Sequence, residues 1–240
     1  MEAKLTREMT ILPSICDREA KLSIPDLFAQ FMDVATLHAE ELGVGAEPMI
    51  RRGLFWITVK TKVHILRRPR LLETVTVSTR PLVPERVRAI REYRLEKDGE
   101  LLAEGKTEWA VLETATGRPR HMDGVFESGL ELAKDPAYTA PFARILPDFA
   151  EAEELGSGRV RSTDIDLGGH MNNAAYPRAL FGAFAVRELR EKPVRCVDLI
   201  FRAPCHEGDL LSFYKKEEDG RFDVRMARGE ETVLLGQITF

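Results

Sequence analysis

Cysteine is scarce in this sequence: 240 residues contain three, Cys16, Cys196 and Cys205, and no two of them form a CxxC pair. That argues against a disulfide framework or a thiolate zinc cluster, and it fits a reducing, cytoplasmic setting. Long apolar runs are missing as well. No stretch approaches the ~20 consecutive apolar residues of a membrane helix, so no membrane insertion is expected. The opening segment, MEAKLTREMT, carries two acids and no apolar centre, which argues against a signal peptide. Nor is there an excess of positive charge. With a net charge of −4 the chain as a whole does not read as a nucleic-acid binder.

What is present is the composition of a globular protein, 44% hydrophobic and 31% charged, long enough for one large or two small domains with a substantial core. Arginine is locally dense at Arg51-Arg52, at Arg67-Arg68-Pro69-Arg70, at Arg118-Pro119-Arg120, and at Arg159 with Arg161. Such clusters are either solvated strand ends and loops or a docking surface for an acidic or phosphate-bearing partner, because guanidinium forks match both oxyanions.

The first helix is marked between Ser23 and Gly43. Ser23 is a good N-cap, Pro25 is tolerated in the first turn, and Asp26 completes a spacing like that of a capping box. Leu27, Phe31, Val34, Ala35 and Leu42 follow at helical spacing, and Gly43 supplies the stop. The period then changes to two. Phe55, Ile57, Val59, Thr61, Val63 and Ile65 alternate with Leu54, Trp56, Thr58, Lys60, Lys62 and His64, which predicts a long half-buried strand. Further strands are predicted at 74–79, 87–95 and 101–112, with a hairpin turn at Lys97-Asp98-Gly99. Trp56 and Trp109 read as core residues of this first sheet.

From about Thr114 to Gly158 the regularity is lost among prolines 119, 136, 141 and 147, which marks a connector. The plan then repeats: a strand near 158–162, a helix of about 174–189, and strands at 194–203, 210–216, 222–228 and 232–240. Short echoes support a duplication. Val63-His64-Ile65 with Pro69 resembles Leu199-Ile200-Phe201 with Pro204, and Leu101 to Gly105 resembles Val233 to Gly236. One helix per half wrapped by a curved antiparallel sheet is an α+β arrangement, and two such halves can pair their sheets edge to edge.

Chemistry concentrates in DIDLGGHMNN, residues 164–173. Asp164, Asp166 and His170 fall within seven residues, with Gly168 and Gly169 between them. Asn172 and Asn173 are good helix caps, and Pro177 fits a first helical turn. The segment thus places a carboxylate, an imidazole and a double glycine at the positive end of a helix, where backbone N–H groups favour a developing oxyanion. The bland alternative is a turn with a hydrogen-bonded structural histidine. A metal is disfavoured, since Asp166 and His170 offer at most two ligands and no second His or Cys lies at ligand spacing.

This segment resembles the D-x-D-x-N-x-H-V-N-N motif of the acyl-acyl carrier protein (acyl-ACP) thioesterases of plants and bacteria. The resemblance extends to the Trp56 strand with Arg68-Pro69, to Glu73-Thr74-Val75, to Arg91-Glu92-Tyr93, to Gly105 and Trp109, to Thr116-Gly117-Arg118, and to His38 in the first helix. It covers most of residues 9–122 and 159–215. It implies a tandem hotdog fold, divided into an N-terminal hotdog at 1–125, a linker at 126–157 and a C-terminal hotdog at 158–240. It implies hydrolysis of fatty acyl thioesters on acyl carrier protein, with no cofactor and with the site mainly in the second half. Homodimers also occur in that family.

Of the family's catalytic positions, Asp166 and His170 carry over. Gly168 stands where Asn is usual, and Pro204-Cys205 stands where Glu-Cys is common. The implied mechanism then has Asp166 activating water or attacking the thioester, His170 orienting the substrate, and N–H groups around Gly168, Gly169, Asn172 and Asn173 polarising the carbonyl. Cys205 as a nucleophile would need a nearby base, and His206, its neighbour, points to the opposite face of a strand. The simpler reading of Cys205 is a packing residue. His38 is read as structural or as lining the acyl pocket. An acyl-CoA thioesterase on the same fold and a catalytically impaired acyl-binding protein are the alternatives, the latter motivated by Gly168 and Pro204.

Overall fold

The computed structural model describes residues 3–146 and 148–240. Met1 and Glu2 of the opening segment, and Pro147 of the connector, lie outside the described residues. The elements run in two matching sets. The first is β1 (Leu5–Thr10), α1 (Ile24–Glu41), α2 (Ala46–Arg51), β2 (Leu54–Ile65), β3 (Thr74–Pro81), β4 (Ala89–Lys97) and β5 (Glu100–Glu113). The second is β6 (Glu153–Arg159), α3 (Ala175–Gly182), α4 (Val186–Glu191), β7 (Cys196–Phe201), β8 (Leu210–Glu218), β9 (Arg221–Arg228) and β10 (Glu231–Thr239).

All ten strands join one antiparallel sheet in the order β1-β3-β4-β5-β2-β7-β10-β9-β8-β6. Read outward from the centre, β2, β5, β4, β3, β1 mirror β7, β10, β9, β8, β6. The halves meet edge to edge through β2 and β7, with Thr61 opposite Leu199 and Val63 opposite Val197. Lys62 Nζ bonds Asp198 Oδ2 across this seam at 2.7 Å. The pairing removes the exposed edge each half would otherwise present. Among the described residues no helix is long and apolar enough to cross a membrane.

The repeat echoes occupy equivalent places. Gly105 of β5 sits opposite Val63 and Tyr93, and Gly236 of β10 sits opposite Leu199 and Val224. Both are glycine because the flanking strands, joined at Gly105 by α1, leave no room for a side chain. A Cβ on Gly105 would meet Lys62 O at 2.8 Å and the Phe31 ring at 3.2 Å, and one on Gly236 would meet Val224 at 2.7 Å. Above Gly105, Phe31 of α1 stacks on Tyr93 with ring centroids 4.9 Å apart.

α1 begins as its sequence dictates: the Ser23 hydroxyl accepts the Asp26 N–H at 3.1 Å. Three expectations need correction, and one strand is not marked in the sequence. β1 was not foreseen, because LTREMT buries nothing fully and shows no clean alternation; it is an edge strand held by main-chain pairing to β3. The strand expected near 158–162 lies earlier, as β6, and 162–164 is a 3₁₀ turn. The helix of 174–189 is two short helices, broken where Phe184 turns in to stack on Phe222 and Ala185 is extended. Asn172 and Asn173 are not the N-cap of α3; that position is Ala174, with no side-chain bond.

The alternation in β2 also changes phase. A bulge between Thr58 and Lys60 interrupts its pairing with β5, so Leu54 and Thr58 are buried before it, and Thr61, Val63 and Ile65 after it. An extra residue in one strand of a pair has this effect.

The connector is irregular but packed. Residues 135–143 lie along the outer face of the sheet, where Glu92 accepts the Ala137 and Tyr138 N–H groups, and Asp198 accepts that of Ala143. Lys106 lies over the rings of Tyr138 and Phe142. This strap covers the seam between the halves and gives buried carboxylates their partners.

Candidate active site

Asp166 to His170 form a tight turn that projects from the second half. Ile165 and Met171 bridge its base, the Asp166 N–H donates to the His170 carbonyl at 2.9 Å, and the Gly169 N–H donates to the Asp166 carbonyl at 3.0 Å. Gly169 has φ +75°, a conformation that strains any residue with a side chain. Asp164 is used structurally, its carboxylate accepting the Arg161 N–H at 2.8 Å.

The turn brings Asp166 and His170 to one point. A methyl group placed on Gly168 would lie 3.1 Å from Asp166 Oδ1 and 3.5 Å from His170 Nδ1. The carboxylate and the imidazole therefore flank the small space above Gly168, and Asp166 is exposed there while His170 is half-buried. The Gly168 N–H donates to Asp166 Oδ1 at 2.8 Å, which fixes the carboxylate's direction. Both glycine N–H groups thus serve the turn itself.

The two asparagines do different things. The Asn172 side-chain oxygen accepts the Ala174 N–H at 2.8 Å, which aims its amide nitrogen away from the main chain. Asn173 reaches into the first half: its Nδ2 donates to Thr58 Oγ1 at 2.7 Å. Thr58 is available because the β2 bulge turns it inward.

Cys205 lies beneath the turn, fully buried, and its carbonyl accepts the Met171 N–H at 2.8 Å. Burial pushes its thiol up, so it is a poor source of thiolate. Its main-chain N–H donates to Tyr176 Oη, a phenol that burial likewise shifts upward. His38 is remote from the turn in contact terms. It is a buried residue of α1, with Nδ1 2.9 Å from Arg91 Nη1, and burial first, then the guanidinium, push it down to about 4. It is neutral at pH 7. The second-half site and His38 are not brought together by any shared contact among the described residues.

One residue at the site was passed over by sequence reasoning. The His206 ring lies 4.9 Å from that of His170, tilted by 56°. Strand alternation could not have found it, because β7 ends at Phe201 and Cys205 and His206 both lie in the loop before β8 rather than on opposite faces of a strand.

Residues 2–127 match the acyl-ACP thioesterase N-terminal domain, and residues 150–237 match the acyl-ACP thioesterase C-terminal domain. Two solved structures share the fold across essentially their whole length. One is an acyl-ACP thioesterase from Bacteroides thetaiotaomicron, 21% identical with a TM-score of 0.88, covering 99% of this chain and 98% of that one. The other is the 12:0-ACP thioesterase from Umbellularia californica, 17% identical with a TM-score of 0.82, covering 100% and 97%. No curated protein matches the sequence. The fold, two antiparallel hotdog halves fused in one chain, and the family matches over both define a thioester hydrolase. The chain belongs to the acyl-ACP thioesterase family.

Proposed function

We propose that this protein releases fatty acids from acyl carrier protein, with Asp166 and His170 as its working groups. The observation that carries the assignment of residues is their convergence on the space above Gly168. A thioester carbonyl placed there has a carboxylate on one side to activate water or attack, and an imidazole on the other to orient it. The Asn172 amide nitrogen supplies a side-chain donor for carbonyl polarisation, in place of glycine N–H groups already engaged.

The second half carries the chemistry in this reading, and the first half, residues 1–125, contributes the surface that Asn173 grips. The rim suits an acidic, phosphopantetheine-bearing carrier in a cytoplasmic setting. Arg159 and Arg161 precede the turn in the chain and are exposed, and Leu167 stands 99% exposed at its tip. Steady-state hydrolysis of matched acyl-ACP and acyl-CoA substrates tests this. Higher kcat/KM on the carrier protein, falling with added salt, is expected; equal or higher turnover of acyl-CoA sinks the carrier assignment.

A further inference from the structure

We propose that His206 is a second proton-handling residue of this site, working as a pair with His170; the proposal rests on the thioesterase reading above. The rings are 4.9 Å apart, and the backbone under His206 is fixed by several bonds. Its N–H donates to Asp209 Oδ2 at 2.9 Å, and Arg228 Nη1 binds the same carboxylate at 2.6 Å and the Pro204 carbonyl at 3.2 Å. The Gly208 N–H and carbonyl are held by the Val160 carbonyl and by Arg159. The Met171 N–H to Cys205 carbonyl bond then locks this turn against the His170 loop. The main chain beneath His206 is thus held firmly, while its side chain is exposed to solvent and lies against the His170 ring.

The charged groups about His206 define what it can do. Asp209 is occupied by the His206 main chain and by Arg228; burial opposes its ionisation, but those two bonds outweigh it and hold its carboxyl below the usual range. Glu207 is its chain neighbour and is exposed, Arg159 and Arg228 hold the surrounding loop, and Asp166 shares the space above Gly168 with His170. Asp166 is tied to the Gly168 N–H, so a separate base allows one group to orient while another moves a proton.

The step balances within the reaction's own atoms. As water forms its C–O bond to the thioester carbon, one of its protons passes to a ring nitrogen of His206. When the C–S bond breaks, that imidazolium returns the proton to the departing sulfur, giving carboxylic acid and free thiol.

The test is kinetic comparison of wild type, His206→Ala and His206→Gln on one acyl-ACP substrate, with and without added imidazole. The expected result is a kcat loss of about 100-fold in both variants with KM little changed, since general acid–base groups contribute at least that much. Free imidazole should restore His206→Ala and not His206→Gln, because only the alanine variant leaves room for it. Either variant matching wild type overturns the proposal. So does a loss confined to KM, or one that imidazole leaves untouched in a folded alanine variant. Should the alanine variant not fold, the glutamine variant decides by its kcat and by the shape of its pH–rate profile. Wild type inactive on every acyl thioester would instead sink the thioesterase reading itself.

Discussion

The Asn173 amide donates to Thr58 Oγ1 at 2.7 Å, so the loop bearing Asp166 and His170 in the second half is anchored on β2, the edge strand through which the first half joins the second. Asn173→Ala leaves a buried threonine hydroxyl without that partner, at a cost of about 1–2 kcal/mol. It also frees one end of the loop, and kcat/KM should fall about tenfold, as small misplacements of reacting groups do. Thr58→Val should act the same way. Urea unfolding and kinetics of the double variant check the link: it should be no worse than either single change.

Asp166→Asn separates charge from scaffold. The amide oxygen can still accept the Gly168 N–H, so the turn should persist and the melting temperature should stay within about 2 °C of wild type. Activity should drop by at least about 100-fold if the carboxylate activates water or attacks. Full activity in this variant would remove Asp166 from the mechanism.

Cys205→Ala should retain kcat within about threefold, because a fully buried thiol shifted upward by burial is no nucleophile. Its cost should be structural, about 1 kcal/mol for the atoms lost from a filled site. Chemical denaturation measures the second quantity, and resistance of the native thiol to iodoacetamide checks the burial.

His38 gives a pH dependence of stability with a definite sign. Folded, its imidazole is pushed from 6.5 to about 4 by burial and then by Arg91. The unfolded chain therefore binds a proton that the folded chain refuses, and stability, complete above the unfolded value, is lost as pH falls from 6.5 toward 4. The loss attributable to this residue approaches about 3 kcal/mol at the lower end. Denaturant midpoints of wild type should fall faster between pH 7 and pH 5 than those of His38→Gln; parallel slopes would refute the assignment.

The strongly periodic parts of the chain were legible from sequence. Ser23 and Asp26 mark the start of α1, Asp98-Gly99 marks a hairpin, and Gly105 and Gly236 betray the duplication because each is crowded by its flanking strands at the equivalent place in its half. The site segment stood out by its residue types, a carboxylate, an imidazole and two glycines within five positions, and its turn follows from Gly169. What escaped has physical reasons. β1 is specified by its pairing with β3 rather than by burial of its side chains. The break after α3 is set by Phe184 meeting Phe222, a contact about forty residues away. The Thr58 contact depends on a bulge no local pattern announces, and the His206 contact on the course of a loop between β7 and β8.

That bulge has a consequence for how the two halves can change. Beyond it, β2 is shared: residues Lys60 to His64 pair with β5 on one side and β7 on the other. Before it, β2 pairs within the sheet with β5 alone. The extra residue therefore sits at the border between private and common strand, and it sets the phase of each part independently. Deleting Val59 would leave the shared portion in register with β7 while turning Thr58 to the outer face, so the molecule would keep its seam and lose its grip on the loop. A single residue of strand length thus separates the joint that holds the protein together from the hold that positions its chemistry.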